Sequence, residues 1–399
     1  MYHSLRVSVE SLFLFFDFSQ TSSKKGTTLK LLNVLCMTGA IVVLSVFTAC
    51  SGVPPVDSDP LPTQQAQTDE PTITAPPEPP IVTVATPWTP GSFQKGIQIY
   101  WHSNGEPITS VKKRASSILD YVVSTGANSV GITFPIYTDG PNPTKLYNGQ
   151  ETPTVEELSA VISAAKQRDL RVLVRPAIDE TNIMTFEDEW RGSISPQNLD
   201  DWFSSYTALM LPYLEMATLN NVDEFSIGVE LTSLEAAPQW ASVETVAHAA
   251  FSGTISYAMN WSEYGTTVPI GQMAVDAYPS INLPDSASVD QLVGAWNQYL
   301  ARQPVEQRRS ISLQEVGIPA ESGKYPRPWS WGDDTTLNLD VQTNWFTASC
   351  QAAKASEMAG MYFWMIDSNI DFSTLNPQTD PVGNFVGRPA EQAMKECFK

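Results

Sequence analysis

Two apolar stretches of this 399-residue chain each deliver a glutamate. One is Phe225-Ser226-Ile227-Gly228-Val229-Glu230-Leu231 and the other is Ile311-Ser312-Leu313-Gln314-Glu315-Val316-Gly317. Both read as buried strands, short and apolar with β-branched residues near the centre. A carboxylate on such a strand is costly unless it is paired or takes part in chemistry. Taken singly, each glutamate could belong to a structural ion pair. Two strands that each bring one suggest a two-carboxylate enzyme, with one carboxyl to protonate a leaving oxygen and the other to act on the carbon. The rest of the chain is then what holds the pair face to face.

Composition narrows the field. The formal net charge is −20, from 43 acidic and 23 basic residues. That balance argues against nucleic acid or anionic lipid as a partner, since both select a basic surface. Histidine is scarce, with only His3, His102 and His248. A Ser-His-Asp triad or a histidine-rich zinc site would rest on His102 or His248 alone. His248 falls in a helical pattern with Val243, Val246 and Ala247, as a packed residue would. No cofactor motif and no metal requirement is read. Aromatic residues reach 10%, with 11 Trp and 13 Tyr, which fits either core packing or platforms for sugar rings.

From Lys95 onward strands and helices alternate, the pattern of a parallel α/β fold. Strands are expected at 96–101, 129–134, 171–175, 225–230, 254–260, 273–278, 310–315 and 361–364. Capping boxes at Thr154-Val155-Glu156-Glu157 and Ser288-Val289-Asp290-Gln291 open two of the connecting helices. Eight strands with helical connections give a (β/α)₈ TIM barrel over residues 91–399, and only the link from the fifth strand to the sixth is short for a full helix. In such barrels the site lies at the C-terminal strand ends. There the sequence places Trp101-His102, Arg175, Glu230, Asn260-Trp261, Asp276, Tyr278, Glu315, Trp364 and Asp367. Arg175 could position substrate or salt-bridge Glu230 or Glu315. Trp329 and Trp331 could line a subsite or pin their loop.

The N-terminal 50 residues read as a targeting segment. Lys24, Lys25 and Lys30 precede an apolar run from Leu31 to Ala49, and Ala49-Cys50-Ser51 resembles a bacterial lipobox. That implies cleavage before Cys50 and lipidation of its thiol; a plain signal peptide or an uncleaved anchor are the alternatives. Residues 51–90 are rich in Pro, Thr, Asp and Glu and read as an extended linker. The protein is thus expected to be exported, tethered to a bacterial envelope or secreted, and monomeric. Cys350 and Cys397, on the final helices, could pair in an oxidising compartment.

Glutamates ending the fourth and seventh strands resemble those of glycoside hydrolase clan A. The local strings look most like family 113, the endo-β-mannanase-like barrels: Lys95-Gly96-Ile97, Gly126-Ala127-Asn128, Trp190-Arg191-Gly192, Ile227-Gly228-Val229-Glu230, Tyr257-Ala258-Met259-Asn260-Trp261, Gln314-Glu315-Val316-Gly317 and Tyr362-Phe363-Trp364. The resemblance implies Glu230 as acid/base and Glu315 as nucleophile of a retaining mechanism on a β-linked polysaccharide, with β-mannan the first choice. Expected substrate contacts are Trp101, His102, Arg175, Trp190, Asn260, Trp261, Tyr278 and Trp364. The chain departs from the pattern at Val229, where many clan members have Asn, and at Pro176-Ala177, where such mannanases often have Pro-His. Another β-glycan, or a glycan-binding surface lipoprotein without turnover, are the competing readings.

Overall fold

A computed structural model describes residues 80–184, 189–266, 268–331, 336–377 and 384–399. The expected targeting segment with Cys50, and the linker as far as residue 79, lie outside the described residues. The end of the linker already packs on the folded domain: Val84 is buried and its N–H bonds the Arg168 carbonyl, while Arg171 lies over the Trp88 ring.

The strands are β1 (Gln94–Tyr100), β2 (Ser129–Thr138), β3 (Leu146–Tyr147), β4 (Arg171–Ile178), β5 (Glu224–Val229), β6 (Thr254–Asn260), β7 (Gln272–Asp276), β8 (Ser312–Val316) and β9 (Gly360–Asp367). Eight are parallel in the order β1-β9-β8-β7-β6-β5-β4-β2, and β1 pairs with β2 to close a (β/α)₈ barrel. The short β3 adds antiparallel to β2 outside the ring.

Around it run α1 (Ile108–Ser124), α2 (Val155–Lys166), α3 (Leu199–Leu219), α4 (Trp240–Ala250), α5 (Val289–Leu300), α6 (Val305–Arg308), α7 (Leu339–Ala355) and α8 (Pro389–Cys397). Thr154 and Ser288 close the two capping boxes read in the sequence, satisfying first-turn N–H groups of α2 and α5. A three-residue turn replaces a helix between β6 and β7, the link expected to be short. His248 is exposed on α4 rather than packed.

The strands alternate with period two, and both faces are buried. Apolar members such as Ile97, Ile99, Val130, Ile132, Val172, Val174, Phe225 and Ile227 belong to the main core. Their alternates point into the barrel and are small or polar. Arg171 pairs with Glu224 and bonds the Tyr362 hydroxyl, which bonds Gln94. One layer up, the Gln314 amide donates to Glu224 (2.7 Å) and Ser256 (3.3 Å), while Gln98 donates to the Gln314 carbonyl (2.7 Å). Glycine makes room for these larger groups: a Cβ on Gly96 would sit 2.1 Å from the Tyr362 ring, and one on Gly131 would sit 2.0 Å from the Gln98 amide. The barrel centre is therefore hydrogen-bonded, not oily.

Cys350 of α7 and Cys397 of α8 form a disulfide across a sequence separation of 47. Closing a loop of that length stabilises by about 4 kcal/mol when its entropy loss is counted in the unfolded chain. A Cys350→Ser/Cys397→Ser variant is expected to lose about that much unfolding free energy and so to unfold at a lower denaturant concentration. Dithiothreitol should leave its midpoint unmoved while lowering that of the parent.

Candidate active site

The period-two pattern breaks at both glutamates. The register of β5 against β6 shifts between Ser226 and Val229, and that of β8 against β9 shifts between Leu313 and Val316. Such irregularities re-aim side chains next to functional sites. In β8 the shift lets two consecutive residues, Gln314 and Glu315, both point inward. In β5 the strand stops at Val229, and Glu230 turns into the left-handed region at φ 53°. A glutamate held there costs about 1–3 kcal/mol and persists only when its surroundings dictate it. They do: its N–H bonds the Ala258 carbonyl (2.8 Å), and the next N–H, of Leu231, bonds the Tyr257 hydroxyl (3.0 Å).

The two carboxyl groups sit in opposite settings. Glu315 accepts from the Arg175 guanidinium (3.0 Å) and the Tyr278 hydroxyl (2.8 Å). Arg175 also grips Asp276 through both oxygens, at 2.9 and 2.6 Å, with Arg175 and Asp276 completely buried. Glu230 has one close donor, the Asn260 amide at 2.7 Å, and a more distant guanidinium, Arg191, at 3.8 Å. Burial pushes its carboxyl up to about 7, with help from the charges of Glu315 and Glu180; Arg191 and Asn260 oppose the rise. Arg191 is clamped by Glu180 at 3.2 Å. Burial alone would raise Glu180, but the guanidinium and the Arg191 N–H hold it below the usual carboxylate value.

An aromatic wall flanks the carboxyls. Tyr100, Tyr278 and Trp364 are buried together, with Trp261, Trp329, Trp331 and Met365 packed against them. Trp261 and Trp329 stack at 4.9 Å with planes 19° apart, and Tyr100 meets Trp364 edge-on at 6.0 Å.

Asn260, Trp261, Tyr278, Trp364 and the two glutamates are thus gathered at one end of the barrel. His102 lies near them beside Tyr100, 3.6 Å from both Glu151 and Asp367. Burial lowers its proton affinity, but Asp367 and Glu151 raise it above the ordinary histidine value overall. Trp190 is half-buried over Gly192, in the turn that carries Arg191.

Two expected substrate contacts are corrected. Trp101 is fully buried in the main core, on the outer face of the sheet, beneath the Arg114 guanidinium at 4.2 Å. It follows Tyr100, and neighbouring residues of a strand face opposite sides. Tyr100 is the one that reaches the wall. Arg175 has no exposed surface, so it contacts Glu315 and Asp276 and not a ligand. Tyr100 carries part of the site that was not read from the sequence, and the sequence placed Glu180 just beyond the third strand and Arg191 on the following loop without showing that they pair beside Glu230. Tyr100 was legible from the run Gly96, Gln98, Tyr100 on one face; nothing local marks Arg191 as a partner of Glu230.

A closed parallel barrel presenting two glutamates and a wall of indoles at its strand ends defines a glycoside hydrolase. The chain belongs to Glycoside Hydrolase Family 113, whose model matches residues 99–380. Among solved structures it is similar to a GH113 β-1,4-mannanase complex at 19% identity, covering 77% of this chain and 98% of that one with a TM-score of 0.64. The GH113 β-mannanase of Alicyclobacillus acidocaldarius is similar at 19% identity, covering 77% and 97% with a TM-score of 0.62. At such identities the likeness speaks for the fold. No curated protein matches.

The setting of Glu230 makes its pH dependence testable. Its raised proton affinity keeps it an acid up to about pH 7, so kcat/KM should fall on an alkaline limb near pH 7. Arg191 favours the charged form, so Arg191→Met should move that limb to higher pH. A loss of rate at every pH with the limb unmoved would give Arg191 a merely structural role.

Proposed function

We propose that this protein is an exported, retaining β-mannanase that cleaves β-1,4-mannan by double displacement. Glu230 protonates the leaving oxygen while Glu315 attacks the anomeric carbon. Glu230, now ionised, then takes a proton from the water that hydrolyses the glycosyl-enzyme. The observation that carries this reading is the asymmetry of the pair. Glu315 accepts from a guanidinium at 3.0 Å and a phenol at 2.8 Å, while Glu230 has a single close donor, and burial and neighbouring carboxylates favour its protonated form. Loss of the Glu315 charge on glycosylation removes one of the influences raising Glu230, which suits its change from acid to base. The mannan assignment is supported by family membership and by the two β-mannanases of like fold.

The decisive assay presents β-mannan, glucomannan, β-glucan and xylan to residues 80–399, with proton NMR following the anomer released first. Mannan products of β configuration, absent in Glu230→Gln and Glu315→Gln, are expected. Release of the α anomer would sink the double-displacement reading. Tight binding with no product from any polymer would favour a glycan-binding lipoprotein.

The tether is a further part of the proposal. A lipobox-like end at Cys50, a Pro/Thr-rich linker and a disulfide in the domain all suit a lipoprotein outside the cytoplasm, with a monomeric barrel held off the membrane. Labelled palmitate should enter the full-length chain in a bacterial host and not its Cys50→Ser variant. Equal labelling of both would refute the anchor.

A further inference from the structure

We infer that the stacked Trp261–Trp329 pair is the platform for the sugar on the leaving-group side of the scissile bond, so that Trp329 sets how strongly the enzyme depends on chain length. This rests on the reading of Glu230 as the acid. An acid that protonates the leaving oxygen must face the leaving half of the substrate. Glu230 is fixed by the Asn260 amide at 2.7 Å, and Trp261 is the next residue. Trp261 opens the turn that Asn260 caps, so it leaves β6 beside the residue that holds the acid. Its ring stacks on Trp329 at 4.9 Å, bridging from the end of β6 to the loop after β8, and both indoles pack in one cluster with Tyr278, just after β7.

The loop that brings Trp329 there is anchored at several points. Lys324 and Glu321 form a wholly buried ion pair (2.9 Å), and the Lys324 ammonium also donates to the Ser330 carbonyl (2.8 Å), directly after Trp329. Ile281 N–H bonds the Tyr325 carbonyl at 2.9 Å, the Ser280 hydroxyl bonds the Pro326 carbonyl at 2.8 Å, and Tyr325 stacks on Trp345 of α7. A loop whose only task was to cover the barrel would not need an indole fixed this firmly at half exposure. Each indole of the pair uses one face on the other. Trp329 is only partly buried, and an indole face left to solvent offers its negative quadrupole to the C–H bonds of a pyranose. The ligand class is a β-linked hexose unit, as leaving group in cleavage or as acceptor when the glycosyl-enzyme is intercepted by sugar.

The test compares two substrates that share the same sugars before the scissile bond. One is an oligosaccharide with sugar on the leaving side; the other is the corresponding β-glycosyl fluoride, whose leaving group is too small to reach the platform. The sugar is whichever polymer the panel identifies. In Trp329→Ala the ratio of kcat/KM for oligosaccharide over fluoride should fall about tenfold, the loss of one good aromatic contact. Trp329→Phe should recover part of it, and transfer to an added sugar acceptor should fall with the ratio. An unchanged ratio, with both substrates affected alike or neither affected, overturns the platform while leaving the two-glutamate reading standing. No turnover of any polymer or fluoride by the parent protein overturns both.

Discussion

Glu315→Gln is expected to lower kcat by roughly 10⁴ to 10⁶-fold, the range seen when a covalent nucleophile is removed from a working constellation. The amide cannot attack the anomeric carbon, and one face of its head group now presents N–H to Arg175 where an oxygen accepted at 3.0 Å. Glu230→Ala should behave differently. With a substrate whose leaving group departs without a proton, the glycosyl-enzyme would still form and then stall. Azide, small enough to occupy the vacated carboxyl, should restore turnover and yield a glycosyl azide of β configuration. No rescue, or an α azide, would exchange or abolish the two roles. The fold of each variant can be checked independently by its thermal midpoint.

The second large effect belongs to a residue with no access to substrate. Arg175→Met is expected to destabilise the protein by about 3–5 kcal/mol, because it leaves Asp276 and Glu315 close together, buried and without their cation. For a domain of this size that is a fall in Tm on the order of 10 °C. Activity should drop as well, since Glu315 loses the guanidinium that fixes one of its oxygens at 3.0 Å. Arg175→Lys should restore part of the stability but little activity: one ammonium cannot reproduce a fork that holds Asp276 at 2.9 and 2.6 Å and Glu315 at 3.0 Å. Thermal denaturation at neutral pH separates these outcomes. A midpoint for Arg175→Met within a degree or two of the parent would contradict the account of the buried triad.

The barrel was readable from the sequence because its eight strands alternate so regularly. Ser129, Gly131 and Thr133 take one face while Val130, Ile132 and Phe134 take the other, and the strands are linked by helices or short turns. Glu230 and Glu315 were readable as strand-end carboxylates. The direction of Glu315 was not, because it depends on a register shift that a strict period of two cannot foresee. Strict alternation puts Gln314 inside and Glu315 outside. Trp101 illustrates the opposite case. There the alternation holds, and carrying it one residue further identifies Tyr100 as the inward ring and Trp101 as core. The Arg191–Glu180 clamp was out of reach for another reason: it joins residues on a loop whose path is set by tertiary packing.

The hydrogen-bonded interior of the barrel has a consequence for how this enzyme can change over generations. Arg171, Glu224, Gln314 and Gln98 are linked to one another, and Gln314 is covalently adjacent to Glu315. A substitution in that lattice strands a buried partner and so is eliminated before its effect on sugar choice can matter. Trp261, Trp329 and Trp331 lie on the connections after β6 and β8, outside the lattice. If the platform proposed above is right, replacing Trp329 would change a sugar contact while leaving in place the hydrogen bonds that hold the carboxyl groups. Inheritance of the reaction and inheritance of the preferred polymer are therefore carried by different residues, and the second is free to drift while the first stays put.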